Sequence, residues 1–196
     1  TLEVGKIVPA TGTAITLGDS GDTLTVPSGG TLAVASGATI NLTGATQTGL
    51  PDNKPAFHVY LTATQAIPNT TWTKIQLETA ILDTASGFNL TASGTNPYAY
   101  TVSVAGTYLI QTSLSIDNID SSEYARVTIY KNGARDLTAD VSQYGGSSNE
   151  SPQVGKCFMM SLAVDDYIEL WVYHNEGASQ DIEGVRQFLS GFKLLV

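Results

Sequence analysis

Two histidines, His58 and His174, are the side chains of this sequence best suited to acid–base chemistry near neutral pH. A serine hydrolase would also need a Gly-x-Ser-x-Gly turn to present its nucleophile, and the sequence contains no such motif. Neither histidine has a second one at the spacing of a zinc site. We therefore expect both to be polar strand residues or subunit contacts, and the protein not to be an enzyme.

One short stretch, DNIDSSE, concentrates hard oxygen ligands. It carries Asp117, Asn118, Asp120 and Glu123. Carboxylate and amide oxygens are the ligands that Ca²⁺ prefers, although this spacing does not match the EF-hand loop. A solvated turn accounts for the same residues. The expectation is therefore no cofactor and no metal, with calcium at these four residues as the alternative.

Two long polar stretches, residues 142–152 and 174–184, are suited to recognition. Both are rich in Gly, Ser and amide side chains. Loops on a rigid scaffold often carry binding residues, and hydroxyl and amide groups suit a glycan or a protein receptor. The candidate receptor-contacting residues are Tyr144, Asn149, Asn175 and Gln180.

The first part of the chain, residues 1–49, contains a short repeat. Its apolar pairs are Ile15/Leu17, Leu24/Val26, Leu32/Val34 and Ile40/Leu42. Within each pair the i, i+2 spacing places both side chains on one face of a strand, and Gly-rich turns separate the pairs. Four such strands bury too little apolar surface in one chain, whereas three chains can share one core. We therefore predict an intertwined trimeric β-helical stalk, with a flexible linker as the alternative.

Residues 50–54 form a predicted linker, and residues 55–196 have the texture of an all-β domain. Apolar and polar residues alternate in about eight or nine runs, typical of a sandwich or jelly roll. Asn132-Gly133 predicts a tight hairpin turn. Cys157 lies in the apolar run 154–162 and is expected to be buried.

One run, YIELWVYH, carries large side chains on both faces. Ile168, Leu170 and Val172 alternate with Tyr167, Trp171 and Tyr173. A strand with apolar residues on both faces is expected to be covered on both. The aromatic face is therefore predicted to contact another subunit, with Tyr167, Trp171, Tyr173 and Tyr60 at the head's trimer interface.

Four motifs occur in the order found in one known family: VAGTY at 104–108, YKNG at 130–133, DDYIEL at 165–170 and FLSGFKL at 188–194. Over residues 55–196 the chain resembles the globular heads of complement-type and tumour-necrosis-factor-like (TNF-like) proteins. The resemblance implies an antiparallel jelly roll that forms homotrimers. Two positions depart from it, because the family usually has Gly in place of Asp165 and Phe or Tyr in place of Leu109.

The stalk motif LGDSGDTLTVPSGGTL, residues 17–32, resembles segments of bacteriophage fibres and other virion appendages. Together the two resemblances imply an all-β virion structural protein: a β-helical stalk followed by a TNF-like head that binds the host-cell surface. The N-terminal segment TLEVGKIVPATG would then attach to other virion proteins. A capsid decoration or head fibre and an extracellular bacterial adhesin are the alternatives.

The charge of the chain argues against two classes of partner. The formal net charge is −9, and no cluster of Lys and Arg is present. Nucleic acids and anionic membranes are therefore not expected as partners. No apolar run is long enough for a transmembrane helix, so membrane insertion is not expected either.

Overall fold

The computed structural model describes residues 23, 25–41, 53–146, 151–184 and 187–195. The chain divides into two compact units, Thr1–Gly49 and Leu50–Val196.

In the first unit, turns occur at the Gly-rich segments of the repeat. The amide of Gly30 donates to the carbonyl of Pro27 at 2.8 Å, and the amide of Ala38 donates to the carbonyl of Ala35 at 3.0 Å. Gly29 has a φ of 83°, in the left-handed region that glycine adopts without steric cost. No strand is present at residues 25–41 of the single chain.

The predicted stalk core can be checked at half of its positions. Val26, Leu32, Val34 and Ile40 are exposed, by 44%, 69%, 43% and 57%. The other four predicted core residues, Ile15, Leu17, Leu24 and Leu42, lie outside the described residues. A core shared between chains leaves these side chains exposed in one chain, but so does a linker. The β-helical stalk therefore stays a prediction.

The second unit is built from short and long strands, all paired antiparallel. In chain order they are β1 (Ala56–Tyr60), β2 (Gln65–Ile67), β3 (Thr73–Lys74), β4 (Thr79–Asp83), β5 (Phe88–Asn89), β6 (Ala99–Thr101), β7 (Gly106–Ser115), β8 (Tyr124–Lys131), β9 (Ala134–Tyr144), β10 (Gln153–Leu162), β11 (Tyr167–His174), β12 (Gln180–Ile182) and β13 (Phe188–Lys193). The described ranges contain no helix, and hence none capable of crossing a bilayer.

Two sheets face each other across the core. One sheet has the order β10-β7-β13-β1-β4, and the other has the order β5-β6-β11-β8-β9, with β3 also paired to β11. The small β12–β2 pair forms a third sheet. In β11 the predicted core residues Ile168, Leu170 and Val172 are fully buried, which confirms the alternation expected for that strand. Phe57 of β1 stacks on Tyr100 of β6, with ring centroids 4.1 Å apart, and so joins the two sheets.

Two turns have the backbone that their residues favour. Asn132 and Gly133 join β8 to β9 with φ of 53° and 75°, and two successive positive φ values are what a type I′ hairpin needs. Asp165 joins β10 to β11 with a φ of 68°. A left-handed residue at this position explains why the TNF-like proteins usually have glycine there, and Asp is among the residues that tolerate it.

The expectation that Cys157 is buried is wrong, because its thiol is exposed. In β10 the core-facing positions are Val154, Met160 and Leu162. Cys157 and Met159 occupy the alternate positions and point away from the core; Met159 is 68% exposed. The run is apolar on both faces, so the sequence alone could not indicate which face lies inside.

Candidate binding surfaces

The outer face of the β10-β7-β13-β1-β4 sheet carries uncovered apolar side chains. A cross-strand row joins Met159, Leu109, Phe192 and Ala56 on four neighbouring strands. Residues directly opposite each other in such a sheet have neighbouring side chains, so the row is continuous. We call this surface the apolar face.

The same face continues on its β4 side. Leu82, which is 45% exposed, lies opposite His58. The ring of His58 in turn lies 5.1 Å from the ring of Phe188. A groove of about 120 Å³ opens here between Leu82, Leu109 and Phe192. The apolar face therefore extends across the whole sheet.

A second exposed apolar residue lies at the edge of the sandwich. Strands β9 and β10 are the last strands of their sheets, and Leu137 of β9 is 72% exposed. Lys156 of β10 closes the gap between the two strands, because its ammonium group donates to the carbonyls of Thr138 at 2.5 Å and Asp140 at 3.3 Å. The edge and the apolar face are thus two different apolar surfaces on one domain.

The outer face of the opposite sheet is covered by aromatic rings of the same chain. Neighbouring ring centroids lie 5.6 Å (Tyr144–Tyr124), 5.9 Å (Tyr124–Tyr173), 5.4 Å (Tyr173–Trp72), 6.3 Å (Trp72–Tyr130) and 4.4 Å (Tyr130–Trp171) apart. These separations are those of favourable aromatic pairs. We call these six residues the aromatic row.

A buried ion pair lies at one end of the aromatic row. Glu169 is only 4% exposed, and one of its carboxylate oxygens lies 2.5 Å from the ammonium nitrogen of Lys74. The indole N–H of Trp171 donates to the other oxygen at 3.0 Å. The ammonium group of Lys74 lies 5.7 Å from the centre of the Trp171 ring. The charges of Lys74 and Glu169 therefore neutralise each other within the chain, and Trp171 contacts both groups.

A second cation of the row is also paired. The guanidinium of Arg135 lies 4.3 Å from the ring centre of Trp72 and forms a two-pronged ion pair with Asp140. Burial alone would raise the pKa of Asp140, but hydrogen bonds from Arg135 and Thr128, together with the positive charges of Arg135 and Arg126, outweigh burial, so the pKa lies below its usual value. The hydrogen bonds with Asp140 raise the pKa of Arg135. Asp140 therefore stays charged at neutral pH.

Arg126 is the third cation of this face, and it differs from the other two. Its guanidinium lies 5.1 Å from the ring centre of Tyr124, and it is flanked by Tyr173 on β11 and Ser142 on β9. Among the described residues, no carboxylate lies within ion-pair distance of Arg126. The nearest described carboxylate that acts on its charge is that of Asp140, whose two oxygens are both bonded to Arg135, so Arg126 interacts with it only at longer range.

The four predicted interface residues do not share one surface. Tyr167, Trp171 and Tyr173 lie on the outer face of β11, whereas Tyr60 lies on the outer face of β1, in the other sheet. Their contact with another subunit stays a prediction. The aromatic face of β11 is covered by rings of its own chain, and Tyr60 lies on the apolar face instead.

The predicted receptor residues are placed in three different ways. Tyr144 ends β9 and is 58% exposed, and Asn149 lies outside the described residues. The side-chain oxygen of Asn175 accepts from the amide of Tyr124 at 2.8 Å. Gln180 begins β12 and is paired with Ile67 of β2.

The segment 174–184 is consequently not the free loop that its composition suggested. The amide of Gly177 donates to the side chain of Asn69 at 3.0 Å, and the amide of Asp120 donates to Glu176 at 2.7 Å. Polar residues are as well suited to such hydrogen bonds within the chain as they are to exposure to solvent. As receptor contacts, Asn175 and Gln180 stay a prediction without support from this geometry.

The acidic stretch 117–123 is held by other groups. Asp117 accepts from the hydroxyl of Ser151 at 2.8 Å, and the amide of Glu123 donates to the carbonyl of Asp120 at 3.0 Å. Asn118 has a φ of 53°, as in a turn. Within the described ranges, no three His, Cys, Asp or Glu side chains are grouped to hold a metal ion. Calcium binding by this stretch, including Asp120, remains an untested alternative to the absence of a metal.

The two histidines have unrelated surroundings. His174 is fully buried, and its Nε2 lies 2.9 Å from the carbonyl of Ile67, while its Nδ1 accepts from the amide of Glu176 at 3.3 Å. These contacts assign the proton to Nε2 and give His174 a structural part. His58 lies in the other sheet, on the apolar face, so the two cannot act together.

The sequence carries a signal for the aromatic row in strand β8. In β8 the buried residues Ala125, Val127 and Ile129 alternate with Tyr124, Arg126 and Tyr130. Period-two alternation places these three on one outer face. Trp72 could not be assigned to the same face from sequence, because it reaches the row through the pairing of β3 with β11.

No protein-family model matches the sequence, and no relative is found among curated proteins. Solved structures do match. The Eiger TNF of S. frugiperda has a TM-score of 0.52 at 14% identity, over 71% of this chain and 92% of that one. Murine APRIL at pH 8.0 has a TM-score of 0.51 at 14% identity, over 71% of this chain and 98% of that one. The head is thus a TNF-like jelly roll, which confirms the fold predicted for it.

Proposed function

We propose that this chain forms a homotrimeric, non-enzymatic virion appendage of a bacteriophage. Residues 1–49 form its stalk, and the head forms its distal binding domain. The single observation that carries the proposal is the uncovered apolar face of the head. Monomeric proteins seldom expose a continuous apolar surface across a whole sheet, and such surfaces mark interfaces.

A second copy of this chain is the occupant that the apolar face fits best. The exposed edge at Leu137 and the apolar face are two different surfaces on one domain. When unlike surfaces of identical chains meet, the contact is heterologous, and it forms a closed ring where the rotation between successive copies closes. Burying side chains such as Met159 and Phe192 would stabilise this ring by about 25 cal/mol for each Å² of apolar surface removed from water.

Two further features support three copies rather than another number. The TNF-like resemblance of the head implies trimers. The exposed side chains of the repeat, Leu32 and Ile40 among them, gain a core only when several chains wind together. Three copies of the chain satisfy both requirements.

The virion assignment is supported by the resemblance of the repeat to bacteriophage fibre segments. In this proposal the N-terminal segment attaches the trimer to other virion proteins, and the particle surface is its location. The head then faces the host cell, where a surface glycan or protein is its partner. The net charge of −9 favours these partners over nucleic acid.

Immunogold labelling of purified virions with an antibody against the head tests the assignment. The expected result is gold at the tips of a few fibres, together with reduced virus adsorption when host cells are first incubated with purified head. Gold spread over the whole capsid would contradict host attachment and indicate a capsid decoration protein instead. Absence of gold from virions, with the protein on the bacterial surface, would overturn the virion assignment in favour of an adhesin.

A further inference from the structure

Arg126 is the cation on the outer face of the β11 sheet for which the described contacts include no ion pair. The other two cations of the aromatic row each have a carboxylate partner: Lys74 has Glu169 and Arg135 has Asp140. Arg126 has a ring beside it but no ion pair with any described residue. Asp140 is the described carboxylate that acts on Arg126, and both of its oxygens are bonded directly to Arg135, which leaves the donors of the Arg126 guanidinium free of a direct carboxylate contact among the described residues.

The groups around Arg126 are suited to hold an anion and a ring together. The hydroxyl of Tyr173 is protonated at neutral pH, as for any tyrosine, and burial, followed by the charge of Tyr124 and a hydrogen bond with it, raises its pKa further. Exposed Ser142 lies opposite Arg126 on β9 and adds a second hydroxyl. Tyr144, which is 58% exposed, presents an aromatic surface at the same end of the row.

We propose that this surface, made by Arg126, Tyr124, Tyr144, Tyr173 and Ser142, binds a sugar that carries one anionic group. The guanidinium pairs with the carboxylate or phosphate of the sugar in a charge-assisted, two-pronged contact. The C–H groups of the sugar ring pack on Tyr144, whose ring face is electron-rich. This assignment deepens the proposed attachment role by naming its ligand class, and it rests on that role for the source of the sugar.

The surface selects a single anionic group and excludes a polyanion. It offers one guanidinium without a direct ion pair among the described residues, whereas a nucleic-acid strand is held by many cations, and the acidic chain repels a long polyanion. The affinity for one sugar unit is accordingly modest, in the millimolar range. Three heads on one trimer would raise the apparent affinity for a repeating surface polymer.

The intrinsic fluorescence of the head provides the assay. The chain has two tryptophans, Trp72 and Trp171, and both belong to the aromatic row. The full chain is titrated with D-glucuronate, glucose 1-phosphate, neutral D-glucose and acetate at constant ionic strength. We expect one or both charged sugars to bind, and glucose and acetate to bind at least about tenfold more weakly. The two charged probes distinguish a carboxylate sugar from a phosphate sugar.

Variants assign the binding to Arg126. Arg126→Gln should weaken binding of the charged sugar at least about tenfold, and Arg126→Lys should weaken it less. Lys54→Gln is the matched control: it removes the same charge at an exposed position of β1's leading segment and should leave binding unchanged. Near-ultraviolet circular dichroism verifies that each variant is folded.

Three results would overturn the proposal. Glucose could bind as tightly as the charged sugar that binds best, Arg126→Gln could bind like the wild type, or Lys54→Gln could weaken binding equally. A head that shows neither a fluorescence change nor a nuclear magnetic resonance shift up to about 50 mM of both charged sugars overturns it too. None of these results bears on virion labelling or on the number of chains, so the proposed function stands or fails separately.

Discussion

Replacing Lys74 by methionine should destabilise the head strongly, because it leaves a buried carboxylate without its counter-charge. Glu169 is 4% exposed, and its two oxygens are held by Lys74 at 2.5 Å and by the Trp171 indole at 3.0 Å. Removing one partner of a buried ion pair costs about 3–5 kcal/mol. The side chain of Lys74 is still 24% exposed, so water reaches the site and we expect the lower end, about 3 kcal/mol.

A double-mutant cycle measures the coupling free energy between Lys74 and Glu169. Glu169→Gln keeps the shape of the side chain and removes its charge. Lys74→Met with Glu169→Gln therefore leaves no buried charge, and we expect the double variant to lose only about 1–2 kcal/mol relative to the wild type. Urea unfolding followed by far-ultraviolet circular dichroism measures each term, at one fixed protein concentration because association contributes to stability.

The reasoning has two points at which it can fail. If Lys74→Met lowered the free energy of unfolding by less than about 0.5 kcal/mol, the carboxylate of Glu169 would not depend on this cation. If the double variant lost the sum of the two single losses, the groups would not be coupled. Lys193→Met, in the opposite sheet, keeps an apolar side chain against Gly106 and is the control, which should stay within about 0.5 kcal/mol of the wild type.

Three further predictions concern a turn, a strand and the repeat. Hydrogen bonds, first from Lys131 and then from neighbouring amide groups, lower the pKa of Asp166 to about 2. This carboxylate therefore stabilises the fold above its unfolded pKa of about 3.9, and the stabilisation is lost as the pH falls towards 2. Asp166→Asn should therefore lose about 2 kcal/mol in urea unfolding at pH 7 and nothing near pH 2; an equal loss at both would contradict this. A Cβ at Gly155 would lie 2.4 Å from a backbone carbonyl oxygen of β7, so Gly155→Ala should cost about 2 kcal/mol by thermal unfolding, and an unchanged melting temperature would refute the close approach. Leu32→Asp with Val34→Asp should make the repeat protease-sensitive while the head stays folded; unchanged resistance would favour the linker.

The strands of the head could be predicted because their burial alternates with period two. Ile168, Leu170 and Val172 are an example, and the Asn132-Gly133 hairpin is a local signal of the same kind. Where apolar residues occupy both faces of a strand, as around Cys157, alternation cannot indicate which face lies inside. That choice depends on the opposing sheet, which is a non-local contact.

The binding surfaces were harder to predict for the same reason. The sequence identified Trp171 and Tyr60 as large residues outside the core, but the order of strands in the two sheets places them on opposite sides of the sandwich. The ring of Trp171 packs against Tyr130 and lies beside the ammonium group of Lys74, and both residues are far from Trp171 in the sequence. Composition likewise suggested a free loop at 174–184, because pairing of β12 with β2 has no local signature.

The number of chains in the native particle tests the central claim most directly. Sedimentation equilibrium of the full chain should give the mass of three chains. Cys157, the chain's single cysteine, is exposed on the apolar face, so a thiol reagent reports in the same sample whether this face is covered. We predict slow labelling in the wild type and rapid labelling in Met159→Asp. A single-chain mass with rapid labelling of wild-type Cys157 would contradict the proposed trimer.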